Sequence, residues 1–322
     1  MTYDLWFALR RLRLRPLHTA VIVLTLGLGI GAALAVFAVV DALLLRPLPF
    51  PNADRLVRIT QEIPAAGFPE LNVSGLVYRR VRSDVRSLSA VAAYDVRDAN
   101  LVRSEETRRL SVAQVSASLF DVLQLRPRLG RPFTAAEDMP DGARVLLISD
   151  RLWRSTYNAD PGVVGAVAML EGEPFTIIGV MPPTMAFPSR DIAAWEPVRV
   201  DPAAIDPFQN RYTMVGRLGD GVSIDQAHGD ITATIRAVGR EYPGPHPGSA
   251  LDPAGYLAHV RPLAQAVVGD AQPVVLLLLG GVLMLLLLTC ANVANLQLAG
   301  VMLRGEELAV RGALGATRAR IV

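Results

Sequence analysis

The chain has 322 residues, 51% of them hydrophobic and only 19% charged, and its mean hydropathy is +0.33; soluble globular chains carry about 25% charged residues. The formal charge is +2, too small for a nucleic-acid footprint, and all 32 basic residues are arginines, which excludes a Walker A lysine, a Schiff-base lysine and a kinase-type lysine together. The single cysteine, Cys290, cannot form an internal disulfide, and the four scattered histidines make no metal-ligand cluster.

Residues 1–18 place Leu5, Trp6, Leu9 and Leu12 at helical spacing beside Arg10, Arg11, Arg13 and Arg15. That pattern predicts an amphipathic helix on the inner membrane surface, the other reading being an ordinary charged flank. Residues 19–46 read as a first membrane span. Between Ala20 and Leu45 the only polar side chains are Thr25 and Asp41, a run longer than the ~20 residues that cross a hydrocarbon core. It is also much longer than the ~7–15-residue apolar core of a cleavable signal, so the segment reads as a retained anchor despite the small-x-small Ala33-Leu34-Ala35. Gly27 and Gly31, extended by Ala35, form a small-residue face on which another helix can pack closely; glycine is also simply common in membrane helices.

Residues 47–272 are long enough for a core of their own and mix helical and strand patterns. Arg55–Thr60 alternates as a half-buried strand, and Leu76 to Leu88 has amphipathic helical spacing. Thr134-x-x-Glu137 has the form of a capping box. Arg144–Ser149 reads as a buried strand, with Ser149 placed to cap the helix that follows. Ala166–Leu170 and Phe175–Val180 bracket a Glu-Gly turn and predict a hairpin, and Tyr212–Leu218 predicts another strand. Ser223-x-x-Gln226 is a capping-box pattern opening a helix to about Arg240, and the Pro/Gly-rich stretch 243–255 reads as a loop or hinge. The segment is therefore α+β.

A second span is predicted over 273–303, with no polar side chain from Pro273 to Leu288. Asn292 and Asn295, three apart, share one helix face. They either hydrogen-bond across helices or mark the cytoplasmic interface, and the pattern leaves both open. Residues 1–18 and 304–322 each carry four arginines against one and two acids respectively, so the positive-inside rule puts both ends in the cytoplasm. The intervening segment, with 23 Arg and 26 acids, then lies outside. Residues 304–322 suggest a short cytoplasmic helix that turns at Gly312 and Gly315.

Several phrases carry a resemblance. The opening DLWFALRRLRLRP with LTLGLGIGAALAVFAVVDALLLRPLPFP resembles the first span of FtsX-like permeases of the macrolide-exporter (MacB-like) ABC transporter group, most of all the acidobacterial duplicated orphan permeases. LISDRLWRSTYNADPGVVGAVAMLEGEPFTIIGVMPP (147–183) and GRLGDGVSIDQA (216–227) are similar to phrases of that group's outer domain. CANVANLQLAGVMLRGEELAVRGALGATRARIV resembles its second span and coupling segment.

The resemblance implies a membrane protein with two transmembrane α-helices flanking an α+β extracytoplasmic domain of the MacB-like periplasmic core type, porter-like with an inserted subdomain. It implies no catalysis and no cofactor on this chain, ATP and magnesium being bound by a separate cytoplasmic ABC ATPase. Glu306, Glu307, Arg311, Gly312, Leu314, Gly315 and Ala316 match the coupling segment that would face that ATPase. A homodimer or a second permease half, a partner outside and the lipid bilayer complete the expected company, in a bacterial inner membrane. Family members have at least four spans and this chain stops at Val322, so it reads as the N-terminal portion of a longer permease. The alternative reading is a two-span tether or sensor without transport activity. No nucleophile elbow, metal motif or paired-carboxylate signature supports an enzyme.

Overall fold

A computed structural model describes residues 16–40, 48–103, 106–201, 206–243, 248, 251–268 and 272–302. The chain divides into two compact units, Met1–Arg46 with Val268–Val322, and Pro47–Val267.

In the first unit two helices pack together, α1 (Pro16–Val40) and α7 (Gln272–Met302). Both are apolar on every side, with Leu24, Leu28, Leu34, Leu277, Met284 and Leu287 all exposed; a helix that is hydrophobic all round wants lipid or other helices about it. Within α7, Leu277–Asn295 is long and apolar enough to cross a membrane, its 19 residues rising about 28 Å. The apolar helical run described in α1 is shorter, Val23–Ala38. Residues 41–46, the rest of the predicted first span, lie outside the described residues, as does the predicted helix over 1–15.

The second unit is one twelve-stranded sheet that serves two substructures. The first is a helix-covered layer. Strand β1 (Leu56–Ile63) is followed, after the short β2 (Phe68–Leu71) and β3 (Val73–Ser74), by helix α2 (Gly75–Asp84) and β4 (Leu88–Arg103). Later β11 (Asn210–Leu218) leads through α5 (Ile224–Glu241) to β12 (Leu257–Pro262). The order β12-β1-β11-β4, antiparallel throughout, is that of two interlocked βαβ units, the ferredoxin-like arrangement. Helices α2 and α5 cover one face, burying Val77, Val81, Ile231, Ile235 and Val238 against Val57, Ile59 and Met214.

The second substructure is a closed ring. From β4 the pairing runs to β5 (Glu106–Val115), β10 (Ile192–Pro197), β7 (Val145–Ile148), β9 (Glu173–Val180) and β8 (Val167–Leu170). Strand β8 then returns to β4, Leu101 facing Leu170 and Val102 facing Met169. Inside sit Leu101, Leu110, Val112, Leu146, Ile148, Phe175 and Ile177, with Trp153 of α4 (Asp150–Tyr157) packed against them. A third apolar cluster gathers Phe120 and Leu123 of α3 (Leu119–Leu123) with Ala113, Val115 and the fully buried Trp195.

Local chemistry explains most element starts. Ser74, Ser149 and Ser223 each accept a hydrogen bond from the third backbone N–H of the helix they open, a cap worth about 1 kcal/mol. At Ser223 the reciprocal bond from its backbone to Gln226 (2.9 Å) completes the box. The Thr134–Glu137 box also forms, with the Thr134 N–H donating to Glu137 Oε2 at 2.8 Å, but it closes a turn rather than a helix. The helix expected to reach Leu88 stops at Asp84. Leu88 instead opens β4 opposite Leu218. Both Val85 and Leu88 are buried in the same cluster as α2, which is why helical spacing continues past the helix.

Candidate functional site

The place where the chain enters and leaves the second unit is built from buried groups. Phe50 on the way in, Leu56 at the start of β1, and Leu263 at the start of α6 (Leu263–Val268) on the way out belong to one apolar cluster. Arg217 of β11 ties this place together. Its Nε donates to the Val122 carbonyl (2.8 Å), Nη1 to that of Asn52 (3.1 Å) and Nη2 to that of Pro51 (3.0 Å). The residue is 4% exposed, and burial, reinforced by the nearby Arg55, pushes its pKa down from the usual guanidinium value. The guanidinium serves carbonyls at a turn where Asn52 takes a left-handed conformation (φ 48°), the Asn52 oxygen also accepting the Arg55 N–H at 3.1 Å. Arg55 extends the clamp, Nε donating to Leu218 O at 3.1 Å and Nη1 pairing with Asp220 at 2.5 Å. Residues 51, 52 and 55 are thereby tied to β11, the strand between β1 and β4.

A second polar set joins the layer to the ring. Arg97 of β4 donates from Nε and Nη2 to Glu196 Oε1 (2.9 and 2.8 Å), and Gln114 of β5 donates to the same oxygen at 2.9 Å. Glu196 is 3% exposed, so removing its partners would strand a buried charge. Arg211 of β11 pairs with Asp95 (2.6 Å) and also reaches Gln114 Oε1; the Asp95 bond holds its pKa up against burial. Four strands, β4, β5, β10 and β11, are linked where β11 leaves β4.

In the helix pair the close approach falls at Gly29. A Cβ there would stand 2.8 Å from Thr289 Oγ1, and Thr289 is buried, its hydroxyl donating back to Leu285 O at 2.7 Å. Gly27, Gly31 and Ala35 are exposed, with nothing within 4 Å of a Cβ at Gly27 or Gly31. Residues two apart on a helix point to opposite sides, so Gly29 is separated from the face that Gly27 and Gly31 share. Asn292 and Asn295 are exposed as well. These five residues are thus not at the α1–α7 contact. Glu306, Glu307, Arg311, Gly312, Leu314, Gly315 and Ala316 lie outside the described residues. Gly29 lies in the glycine run that sequence reasoning read as a packing signal, but nothing in the pattern singled it out as the contact residue; Arg217 was missed because its three carbonyl partners are remote in sequence.

Among the described residues no group of three or more His, Cys, Asp or Glu side chains could hold a metal ion. Residues 19–234 match the family model of the MacB-like periplasmic core domain. The chain belongs to that family. It is accordingly a membrane-associated protein with a large periplasmic domain of permease type. Across 98% of its length it is 23% identical to the macrolide export ATP-binding/permease protein MacB of Hahella chejuensis. It spans about half of that relative, 47%. A crystallised domain of a Porphyromonas gingivalis protein described as a permease shares the fold with a TM-score of 0.50 and 16% identity, over 66% of this chain and 92% of that one. The periplasmic region of MacB from Actinobacillus actinomycetemcomitans aligns over 70% and 94% of the two chains, at 13% identity and a TM-score of 0.49.

Proposed function

We propose that the chain is the permease portion of an ABC-type exporter or mechanotransmission complex, in which a separate cytoplasmic ATPase supplies the energy. In this reading α1 and α7 cross the inner membrane, both ends are cytoplasmic, and the second unit works in the periplasm. The residues 306–316 receive motion from the ATPase, and the permease acts as a homodimer or with a second permease half. The observation that supports it best is the clamp at the domain's entry and exit. Arg217 and the cluster of Phe50, Leu56 and Leu263 tie the described entering and leaving segments to the domain's own strands, and in this reading a push at that end of the domain moves its central strands. Packed cores transmit displacement because they have discrete arrangements rather than a continuous range.

The test is co-expression of the full chain with the ABC ATPases of its own genome, followed by affinity isolation from solubilised membranes. One ATPase is expected to co-purify stoichiometrically. Scrambling residues 306–316 should abolish the association while leaving the periplasmic domain folded. An association that survives the scramble removes the coupling role from this segment.

A further inference from the structure

Residues 64–71 form a strap that doubles back from the end of β1. Apart from Glu70 it carries no charged side chain, and Pro64, Ala65, Phe68 and Pro69 are exposed. Its β2 part meets β1 at two places, Leu71 opposite Gln61 and Phe68 opposite Ile63, with the register slipping between them. The chain behind it is held firmly. Asn72 accepts from Gln61 Nε2 (2.9 Å) and Thr213 Oγ1 (3.0 Å) and donates to Arg211 O (3.0 Å).

Glu70 answers an electrostatic conflict. Arg58 of β1 and Arg261 of β12 are direct cross-strand partners, so their side chains rise from one face of the sheet, where like charges destabilise the pairing. Glu70 bridges them, Oε1 standing 2.8 Å from Arg58 Nη2 and Oε2 2.5 Å from Arg261 Nη2. Among the described residues no other carboxylate pairs with either guanidinium. Glu62 faces His259 at 3.5 Å, and the Tyr94 phenol beside Arg58 stays neutral, burial pushing its pKa up. Both arginine Nε atoms are buried with no hydrogen-bond partner.

Strand β12 has the most to lose from that conflict. It is the edge of the layer and leads into α6, where the chain leaves the unit. Its Ala258 N–H is taken by Thr232 Oγ1 at 3.0 Å, so alternation turns the amides of His259 and Arg261 toward β1. We propose that Glu70 is a clip that couples the strap to this exit strand. With the strap down, the arginine pair is neutralised and β12 stays on β1. With the strap lifted, Arg58 and Arg261 face each other uncompensated and β12 loosens.

The test is hydrogen exchange, read by mass spectrometry, on the full chain in maltoside detergent. Glu70→Gln keeps the size of the side chain and removes its charge. Segments 64–71 and 257–262 should then exchange about fivefold faster, while β9 (173–180) keeps the parent rate. Adding Arg261→Gln should return 257–262 to the parent rate and leave 64–71 fast, because losing one arginine ends the repulsion without restoring the clip. A parent rate for 257–262 in Glu70→Gln overturns the proposal, as does a double variant in which that segment stays fast. Should Glu70→Gln fail to fold, seen as fast exchange in β9 too, Arg261→Gln alone decides. It should speed 64–71 and leave 257–262 unchanged, and any other order overturns the coupling. The readout is local exchange, so its result is independent of whether the chain works as a permease.

Discussion

At the residue scale, buried polar side chains are asked to do what ladders do elsewhere. Arg217 satisfies three carbonyls at once. Arg217→Met would fill the space and leave the Pro51 and Val122 carbonyls without this donor and the Asn52 carbonyl with the Arg55 N–H alone, which should cost about 2–4 kcal/mol in denaturant unfolding. A loss below about 0.5 kcal/mol would mean that water replaces it freely. Two adjacent acids make a sharper test because their pKa values move in opposite directions. Glu137 is held down by hydrogen bonds from Arg131, with Thr134 assisting against burial. Its contribution is present above the unfolded carboxylate pKa and is lost as pH falls through the folded value. Asp138 is pushed up by burial, although it accepts from the Ala117 and Arg199 N–H groups. Folded Asp138 therefore binds its proton more tightly than the unfolded chain does, and stability falls as pH rises from the unfolded to the folded value. Glu137→Gln should flatten the acid limb of the stability profile, and Asp138→Asn should remove a decline on its higher-pH side. Denaturant midpoints from pH 3 to 7 read both. The serine caps at 149 and 223 were legible at this scale because capping is local. Arg217 was not, since nothing near position 217 announces carbonyls at 51, 52 and 122.

At the element scale, strands with a clear local pattern could be read and those without one could not. The β8–β9 hairpin, β7, β11 and α5 lie within a residue or two of their sequence patterns. Strands β4 and β5 escaped notice. Val91, Ala92 and Ala93 are buried in succession because that part of β4 has packed layers on both faces. Only from Ala99 onward does one face turn to the ring interior and the other outward. A period of two cannot appear where both faces are covered. The glycine run of α1 was legible as a packing signal, but not which glycine meets α7. Gly29→Val would drive its side chain into Thr289, whereas Gly27→Val meets open space. Unfolding in mild detergent should show the first variant losing about 1–3 kcal/mol, as overpacking does, and the second almost nothing. The reverse order would mean that α1 presents its other face to α7.

At the scale of the whole molecule, the α+β character and the apolar helices at both ends were readable from composition and pattern. Ring closure was not. It depends on Leu101 and Val102 of β4 meeting β8 nearly seventy residues later, a pairing set by the core rather than by any local signal. The same long-range logic brings Phe50, on the entering segment, and Leu263, on the leaving one, into one cluster. The permease reading needs that end of the domain to lie outside the membrane with both chain ends inside. Cysteine accessibility decides this most directly. In a Cys290→Ala background, Asp225→Cys and Glu306→Cys are placed one at a time and treated in intact cells with a membrane-impermeant maleimide, the outer membrane alone having been permeabilised. Position 225 is expected to label at once and position 306 only after the inner membrane is opened. Labelling of both in intact cells, or of 306 alone, would contradict the topology on which the permease reading stands.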